Sequence, residues 1–456
     1  MTIGRKVALG LVVVDTIALA TVLNGMAWAR GILAFGGPIV EPLIIPLAAL
    51  GIALYLIDGY KLHTDMLSLD YASQHSIALI AAMGGTLLLT FVVIPSGYPL
   101  QQSRSVVALT FLVLIPVTLA YRRWLYGRFQ AARRERSIVF IGDPASAATF
   151  REEWARAGMQ QPLIFATGQT GNTAPGIDAP AVPLPFSEIL SWMRKGQLAV
   201  EAIVLRESNR EVTAEMSQQL VDLYFGGIPT YTLELFHQVY WRKIPLYRLN
   251  QTWLFQEGFR TAREPVFDRL KRVSDIVLSL VGLVVFSPIL LLAAIAVWTE
   301  DRGTVFYIQT RIGKFRQPFR LYKFRTMRPS SEGGPYAQPG DLRVTRVGRL
   351  LRASRLDELP QLLNVLRGEM SLIGPRAEWD KLVAEYEQKI PSYHFRHLVR
   401  PGITGWAQVN YTYGSSVEDT LRKLEYDLYY IRHFSFTLDA SIVLKTIHVM
   451  LFGKGR

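Results

Sequence analysis

The sequence predicts a membrane α-helical region joined to an α/β module and a C-terminal α+β domain. Three observations predict it: four apolar runs fill the first 121 residues, strand–turn–helix alternation begins at Ser137, and a fifth apolar run, Val273 to Trp298, is interrupted by Ser287-Pro288. The 456 residues suffice for about three domains. Half of them are hydrophobic (50%) against 19% charged, and the mean hydropathy of +0.19 is too high for an ordinary soluble enzyme. The lack of cysteine excludes disulfide scaffolds, zinc ribbons, iron–sulfur clusters and thiol nucleophiles.

The first run extends from Lys6 to about Trp28, broken only by Asp15. It lacks the short apolar core and small-residue cleavage site of a signal peptide, and more runs follow, so it is expected to be retained. The others cover 38–57, 77–97 and 105–121, each about long enough to cross a bilayer. Residues 1–121 are thus expected to form four transmembrane helices. Arg122, Arg123, Arg128, Arg133, Arg134 and Arg136 then form a basic linker, 122–136, which the positive-inside rule assigns to the cytoplasm, together with Arg5 and Lys6 before the first span. The formal charge of +13 suits anionic lipid or phosphate-rich substrates as well as nucleic acid. Its distribution, apolar first and basic after, favours the lipid bilayer, and no nucleic acid is expected as a partner.

Residues 137–235 alternate as a soluble α/β module. A strand at Ile138 to Ile141 meets Gly142-Asp143 and an Ala-rich helix through Ala157; strands at 162–166 and 200–205 and helices at 186–195 and 212–225 extend it, with a Gly- and Pro-rich loop at 168–185. The pattern is Rossmann-like but degenerate. A dinucleotide site needs glycines that let the backbone approach the pyrophosphate, and Gly142-Asp143-Pro144-Ala145-Ser146-Ala147 keeps only the first. This argues against an NAD-dependent dehydratase or epimerase and for a structural or regulatory module. Residues 236–263, mixed aromatic and basic, read as a linker.

The fifth run, 273–298, carries basic residues at both ends, Arg272 and Arg302. If it spanned, the basic C-terminal region would face away from the arginine cluster. Proline removes a helix hydrogen bond and clashes with the preceding turn, so Ser287-Pro288 is a place for a re-entrant helix to turn back, the alternative being a kinked transmembrane helix.

Further on, Leu356, Leu359, Leu363 and Leu366 recur at helical spacing, Pro360 suits a first turn and Gly368 a C-cap, so Asp357 and Glu358 open a helix. There the dipole and free amides favour an ionised carboxylate and also attract phosphate or its metal. Adjacent carboxylates can divide labour, one attacking or holding Mg²⁺ while its neighbour manages protons. Lys323, Arg325, Arg352, Arg355 and Arg376 supply the cations that phosphoryl transfer requires. Without those cations, an Asp-Glu pair at a helix start would be no more than a cap.

Four clusters carry a resemblance: Phe306-Tyr307-Ile308-Gln309-Thr310-Arg311 with Tyr322-Lys323-Phe324-Arg325; Arg352 to Gly368; Ser371-Leu372-Ile373-Gly374-Pro375-Arg376; and Arg400-Pro401-Gly402-Ile403-Thr404-Gly405-Trp406. With the later Tyr426-Asp427-Leu428-Tyr429-Tyr430 and Leu438-Asp439, they resemble the bacterial sugar transferase family, the polyprenyl-phosphate hexose-1-phosphate transferases or monotopic phosphoglycosyl transferases, over about 264–456. The preceding spans and module are similar to its long-form members, and Val409 to Asp419 is similar to members associated with exopolysaccharide synthesis.

The resemblance implies a C-terminal catalytic domain, 264–456, in which Asp357 attacks the β-phosphate of a UDP-hexose, releases UMP, and passes the sugar phosphate to undecaprenyl phosphate. It implies Glu358 as the assisting carboxylate, Mg²⁺ beside Asp357, and Lys323, Arg352 and Arg376 on phosphates, with Arg311 and Arg325 among the substrate-binding cations. It places the re-entrant break at Ser287-Pro288, the enzyme in the bacterial inner membrane with a cytoplasmic catalytic domain, and a homodimer among its partners. Ala377 stands where the family's motif has a second proline. His394 and His397 have no third ligand for a metal, Trp406 reads as core, and the run 442–452 is amphipathic.

Overall fold

The computed structural model describes residues 3–31, 43–61, 64, 66–94, 103–134, 136–159, 161–167, 184–206, 213–246, 265–328, 341, 343–411, 414 and 416–452. The chain divides into two compact units, Met1–Arg242 and Lys243–Arg456.

In the first unit the apolar runs form α1 (Ile3–Ala29), α2 (Ile44–Leu56), α3 (Leu69–Leu88, continued by a π-helical turn Leu89–Val93) and α4 (Arg104–Arg134). Segments Val7–Ala29, Tyr71–Val93 and Arg104–Arg128 are long and apolar enough to cross a membrane. The second run differs from the four-span expectation. Its helix α2 has 13 residues, roughly 20 Å at 1.5 Å per residue, short of the ~30 Å hydrocarbon layer; residues 38–42 lie outside the described residues. Leu19, Leu23, Leu50, Leu54 and Leu114 are buried while Leu9, Ile17, Ile52 and Val92 are exposed, so these helices are apolar on inner and outer faces alike, as lipid contact favours.

The expected linker 122–136 is also corrected: α4 runs without a break to Arg134. Arg122 is not solvated but fully buried. Its Nη1 and Nη2 each donate at 2.7 Å to the two oxygens of Asp15, and the Tyr60 hydroxyl adds a bond of 2.8 Å to Asp15 Oδ2. A carboxylate inside an apolar bundle must be paired, and Asp15, the one interruption of the first run, takes the first arginine of the cluster.

The α/β module contains β1 (Ser137–Ile141), α5 (Pro144–Arg156), β2 (Leu163–Thr167), β3 (Leu184–Pro185), α6 (Phe186–Arg194), β4 (Val200–Leu205), α7 (Ala214–Phe225), β5 (Thr230–Thr232) and α8 (Leu233–Phe236). The strands pair in parallel in the order β3-β2-β1-β4-β5, with β1 buried along its whole length. At the switch between β1 and β4, Asp143 caps α5 by accepting from the Ser146 amide at 3.0 Å and pairs with Arg206 from the end of β4. The position where an open α/β sheet would receive a pyrophosphate is filled by the chain's own ion pair. Residues 168–183 of the expected loop lie outside the described residues.

The expected linker 236–263 is three things. A π-helical turn, His237–Trp241, joins Phe236, Tyr240 and Trp241 to Phe150 and Trp154 in an aromatic cluster of the module. Lys243 and Ile244 belong to the second unit, where Ile244 is buried and Lys243 pairs with Glu425 at 3.2 Å. Residues 247–263 lie outside the described residues.

The second unit opens with α9 (Pro265–Asp301), 37 residues that stay helical through Ser287 and Pro288. Pro288 cannot donate to the carbonyl of Val284, four residues back, and the Ser287 hydroxyl donates to that carbonyl at 2.8 Å instead. Both ends of α9 are tied to the same unit. Near the start, Lys271 Nζ meets Asp439 Oδ2 at 2.5 Å, Arg272 donates to the carbonyls of Val365 and Leu366, and Asp275 accepts from Ser371 Oγ and the Leu372 amide at 3.1 Å each. Near the finish, Ala293 and Val297 pack with Phe324 and Leu351, and Glu300 accepts from the Arg346 amide at 2.7 Å. Between these anchors Val284, Val285, Leu291 and Leu292 are exposed.

Strands β6 (Phe306–Ile312) and β7 (Pro318–Phe324) form an antiparallel hairpin. Then come α10 (Arg346–Ala353), a 3₁₀ turn Leu356–Gln361, α11 (Leu362–Arg367), β8 (Ser371–Ile373), α12 (Asp380–Lys389), a 3₁₀ turn Tyr393–Leu398, β9 (Gly402–Thr404), α13 (Trp406–Asn410), α14 (Val417–Arg432) and α15 (Phe436–Phe452). Trp406 is core, packed with Tyr393, Leu428, Tyr430 and Ile442. Strands β8 and β9 pair in parallel, and their ends cross so closely that a Cβ on Gly402 would collide with the Gly374 amide. Two of the motifs noted above are therefore one piece of packing.

Candidate active site

Asp357 and Glu358 stand where the leucine spacing puts them, at a helix start, but the opening turn is 3₁₀ rather than α. Arg355 before it adopts left-handed φ/ψ (58°, 14°) without a side-chain cap, and Gly368 closes α11 at φ 85°. Both carboxylates are buried, 8% and 9% exposed. That matters, because a buried charge must find partners or take up a proton.

The two solve the problem differently. Glu358 Oε1 is faced by Arg376 Nη1 at 3.7 Å, Lys323 Nζ at 3.9 Å and Arg355 Nη1 at 4.0 Å. Burial pushes its carboxyl up, but Arg376, Lys323 and Arg355 together hold it below the ordinary glutamate value. Asp357 is raised instead, by burial first and the Glu358 charge second, against Lys323, Arg352 and Arg355. Its Oδ1 is buried with no hydrogen-bond partner among the described residues.

The cations come from different elements. Lys323, on β7 opposite Tyr307, is pushed down to about 8 by burial and by Arg376, with Glu358 opposing. Arg352, in the last turn of α10, donates through Nε to Thr326 Oγ1 at 2.9 Å. Arg311 on β6 donates to the Ala377 carbonyl at 3.0 Å and is lowered by burial and by Arg376. Ala377 is buried beside Phe319, Leu321 and Val365, so the altered motif position closes without the second proline.

An open cleft of about 760 Å³ is lined by Arg311, Lys323, Arg325, Arg352, Asp357 and Arg376, and Glu358 lines a smaller recess with Arg311, Lys323 and Arg376. The structure thus brings the predicted residues together, with one qualification: Arg325 reaches the cleft but its guanidinium pairs with Asp301 at the end of α9. Ser287 and Pro288 lie in the exposed stretch of α9, outside the residues lining this cleft. Sequence reasoning missed Glu378, Trp379, Arg396 and Lys423, which line the same cleft. Glu378 and Trp379 directly follow the Gly374–Ala377 motif, a signal that was present.

No group of three His, Cys, Asp or Glu that could hold a metal occurs among the described residues. Mg²⁺ ordinarily takes one or two carboxylates and completes its shell with phosphate and water oxygens, so the orphaned Asp357 Oδ1 beside a cationic cleft fits a metal that arrives with its phosphates.

Residues 266–453 match the profile described as bacterial sugar transferase. The chain is similar to a UDP-N-acetylgalactosamine-undecaprenyl-phosphate N-acetylgalactosaminephosphotransferase of Aeromonas hydrophila, 39% identical over 57% of this chain and 61% of that one. It is similar to a UDP-glucose:undecaprenyl-phosphate glucose-1-phosphate transferase of Klebsiella pneumoniae, 35% identical over 73% of this chain and 71% of that one. An exopolysaccharide production protein PSS of Rhizobium leguminosarum is 40% identical over 41% of this chain and 98% of its own length. The chain therefore spans 61% of the first of these relatives.

Proposed function

This chain belongs to the bacterial sugar transferase family, and we propose that it transfers a hexose-1-phosphate from a UDP-hexose to undecaprenyl phosphate, releasing UMP, as a membrane step of exopolysaccharide synthesis. The observation that carries the proposal is the asymmetry of the carboxylate pair. Glu358 collects three cations, while Asp357 keeps an unpartnered oxygen beside the cleft.

In the first step an Asp357 oxygen attacks the β-phosphorus, the bond to the bridging oxygen breaks, and UMP leaves with the electron pair, so the sugar phosphate becomes an acyl phosphate on Asp357. A carboxylate with a raised pKa is the better nucleophile of the two. Glu358 remains ionised and holds Lys323 and Arg376 where charge develops on the transferring phosphoryl oxygens. In the second step an oxygen of the lipid phosphate attacks the same phosphorus and frees the Asp357 carboxylate. Mg²⁺, held by Asp357 and the donor's phosphates, would supply charge neutralisation at the diphosphate. Arg352 and Arg311 bind the donor's phosphates in this reading, and Arg325, paired with Asp301, is structural.

The acceptor is a lipid, and the anchoring of α9 supports a re-entrant membrane helix. Both ends grip one unit while the apolar middle is exposed, an arrangement suited to a helix that dips into the inner membrane and returns to the cytoplasmic face. The exposed Val443, Ile447, Met450 and Leu451 of α15, opposite its buried Leu438, Ser441 and His448, suit the bilayer surface. Glucose is the hexose chosen for the test. Full-length protein with labelled UDP-glucose, Mg²⁺ and undecaprenyl phosphate should yield UMP and labelled lipid in equal amounts. UMP without labelled lipid, or neither product with any UDP-hexose, would refute the assignment.

A further inference from the structure

Arg396 and Asp427 form a buried ion pair that the transfer reaction does not itself require. Arg396 lies on the 3₁₀ turn Tyr393–Leu398 and Asp427 on α14, 6% and 1% exposed. Arg396 Nη2 donates to Asp427 Oδ2 at 2.9 Å and to the main-chain carbonyl of Arg376 at 3.0 Å, and Nη1 donates to the Tyr393 hydroxyl. Taking a guanidinium and a carboxylate out of water costs several kcal/mol each, and their attraction seldom returns more than that, so stability alone is a poor reason for the pair.

What the pair holds is the backbone of a site residue. The carbonyl of Pro375 is fixed by the Gly402 amide at 2.9 Å, and the next carbonyl, that of Arg376, by Arg396. The stretch from which the Arg376 side chain departs is thus clamped at consecutive peptide units, and that side chain ends 3.7 Å from Glu358 Oε1. Displacement of a charged group by about 1 Å is enough to cost substantial catalysis.

We propose that Arg396 is a positioning residue: by bridging the Arg376 carbonyl to the Asp427 carboxylate, it sets where the Arg376 guanidinium meets the donor's phosphates. This rests on Arg376 being a phosphate ligand, and the test separates the two claims. UDP-glucose binding is measured by calorimetry on the full chain in nanodiscs, in an Asp357→Asn background that prevents turnover, for Arg376→Ala, Arg396→Lys and the double variant. Arg396→Lys should weaken binding about fivefold when Arg376 is present and less than about twofold when it is absent, because a residue acting through Arg376 has nothing left to position. Equal losses in both backgrounds would overturn the proposal and leave Arg396 a general structural residue. If Arg396→Lys does not fold, the isosteric Asp427→Asn enters the same cycle and must show the same non-additivity, equal losses again overturning it. Unchanged affinity in the Arg376→Ala single variant would show that Arg376 is no phosphate ligand, and both claims would fall.

Discussion

Arg376 Nη1 lies 3.7 Å from Glu358 Oε1, so the guanidinium expected to serve substrate is held, in the free protein, by the second carboxylate of the pair rather than the first. Glu358 is a local anion around which Arg376, Lys323 and Arg355 gather, while Asp357 Oδ1 has no hydrogen-bond partner among the described residues. Glu358→Gln, which keeps the shape and removes the charge, should lower kcat by about 100-fold, with UDP-glucose affinity changed less. Steady-state assays of UMP release measure this; a variant within a factor of a few of wild type would show that the gathered cations do not depend on Glu358.

The pH dependence follows from Lys323. Burial and Arg376 push its ammonium down from 10.5 to about 8. Above about pH 8 the folded protein loses this charge, so kcat/KM should fall with the slope of one proton. Stability should move the other way: between about 8 and 10.5 the unfolded chain binds the proton that the folded one has lost, so stability attributable to Lys323 rises with pH. Lys323→Arg, which stays charged, should carry the alkaline limb beyond the measured range. An unchanged limb in that variant would assign it to another group.

Arg325 tests whether lining a cleft is the same as binding substrate. Its guanidinium pairs with Asp301 and lies over Gly303, where an added Cβ would make it shift. Arg325→Ala and Asp301→Asn should each lower the melting temperature by about 2–4 °C, with nearly the same loss in the double variant, and leave the KM for UDP-glucose little changed. A KM rise confined to Arg325→Ala would return Arg325 to the substrate.

The membrane helix gives a topological prediction. Pro288→Leu restores the amide that the Val284 carbonyl lacks, which here receives the Ser287 hydroxyl. A reporter fused after Arg456 should be cytoplasmic in the wild type and partly periplasmic in the Pro288→Leu protein, as an α9 with its hydrogen-bond ladder completed crosses. A periplasmic signal from the wild type would refute the re-entrant arrangement.

Much of this was legible in the sequence where one residue type does one physical job. The alternation after Ser137 gave most of the parallel strands and helices, and Leu356 to Gly368 gave the helix that presents the carboxylates. What escaped depends on partners distant in sequence. Asp15 was visible as an interruption, but only folding joins it to Arg122 across 107 positions, and that pairing removes Arg122 from the basic cluster. Arg396 escaped between His394 and His397 because its hydrogen bonds go to Arg376 and Asp427, 20 and 31 positions away. Arg325 was counted with the phosphate-binding cations because nothing in its local motif announces Asp301.

The most direct test is the covalent state of Asp357. Full-length protein is mixed with UDP-glucose and Mg²⁺ without acceptor, quenched in acid within one turnover, and its peptides are weighed. The account predicts one hexose-phosphate on Asp357, absent from Asp357→Asn and discharged when undecaprenyl phosphate is added. An unmodified Asp357 in a sample that releases UMP and forms lipid-linked sugar at the normal rate would contradict it.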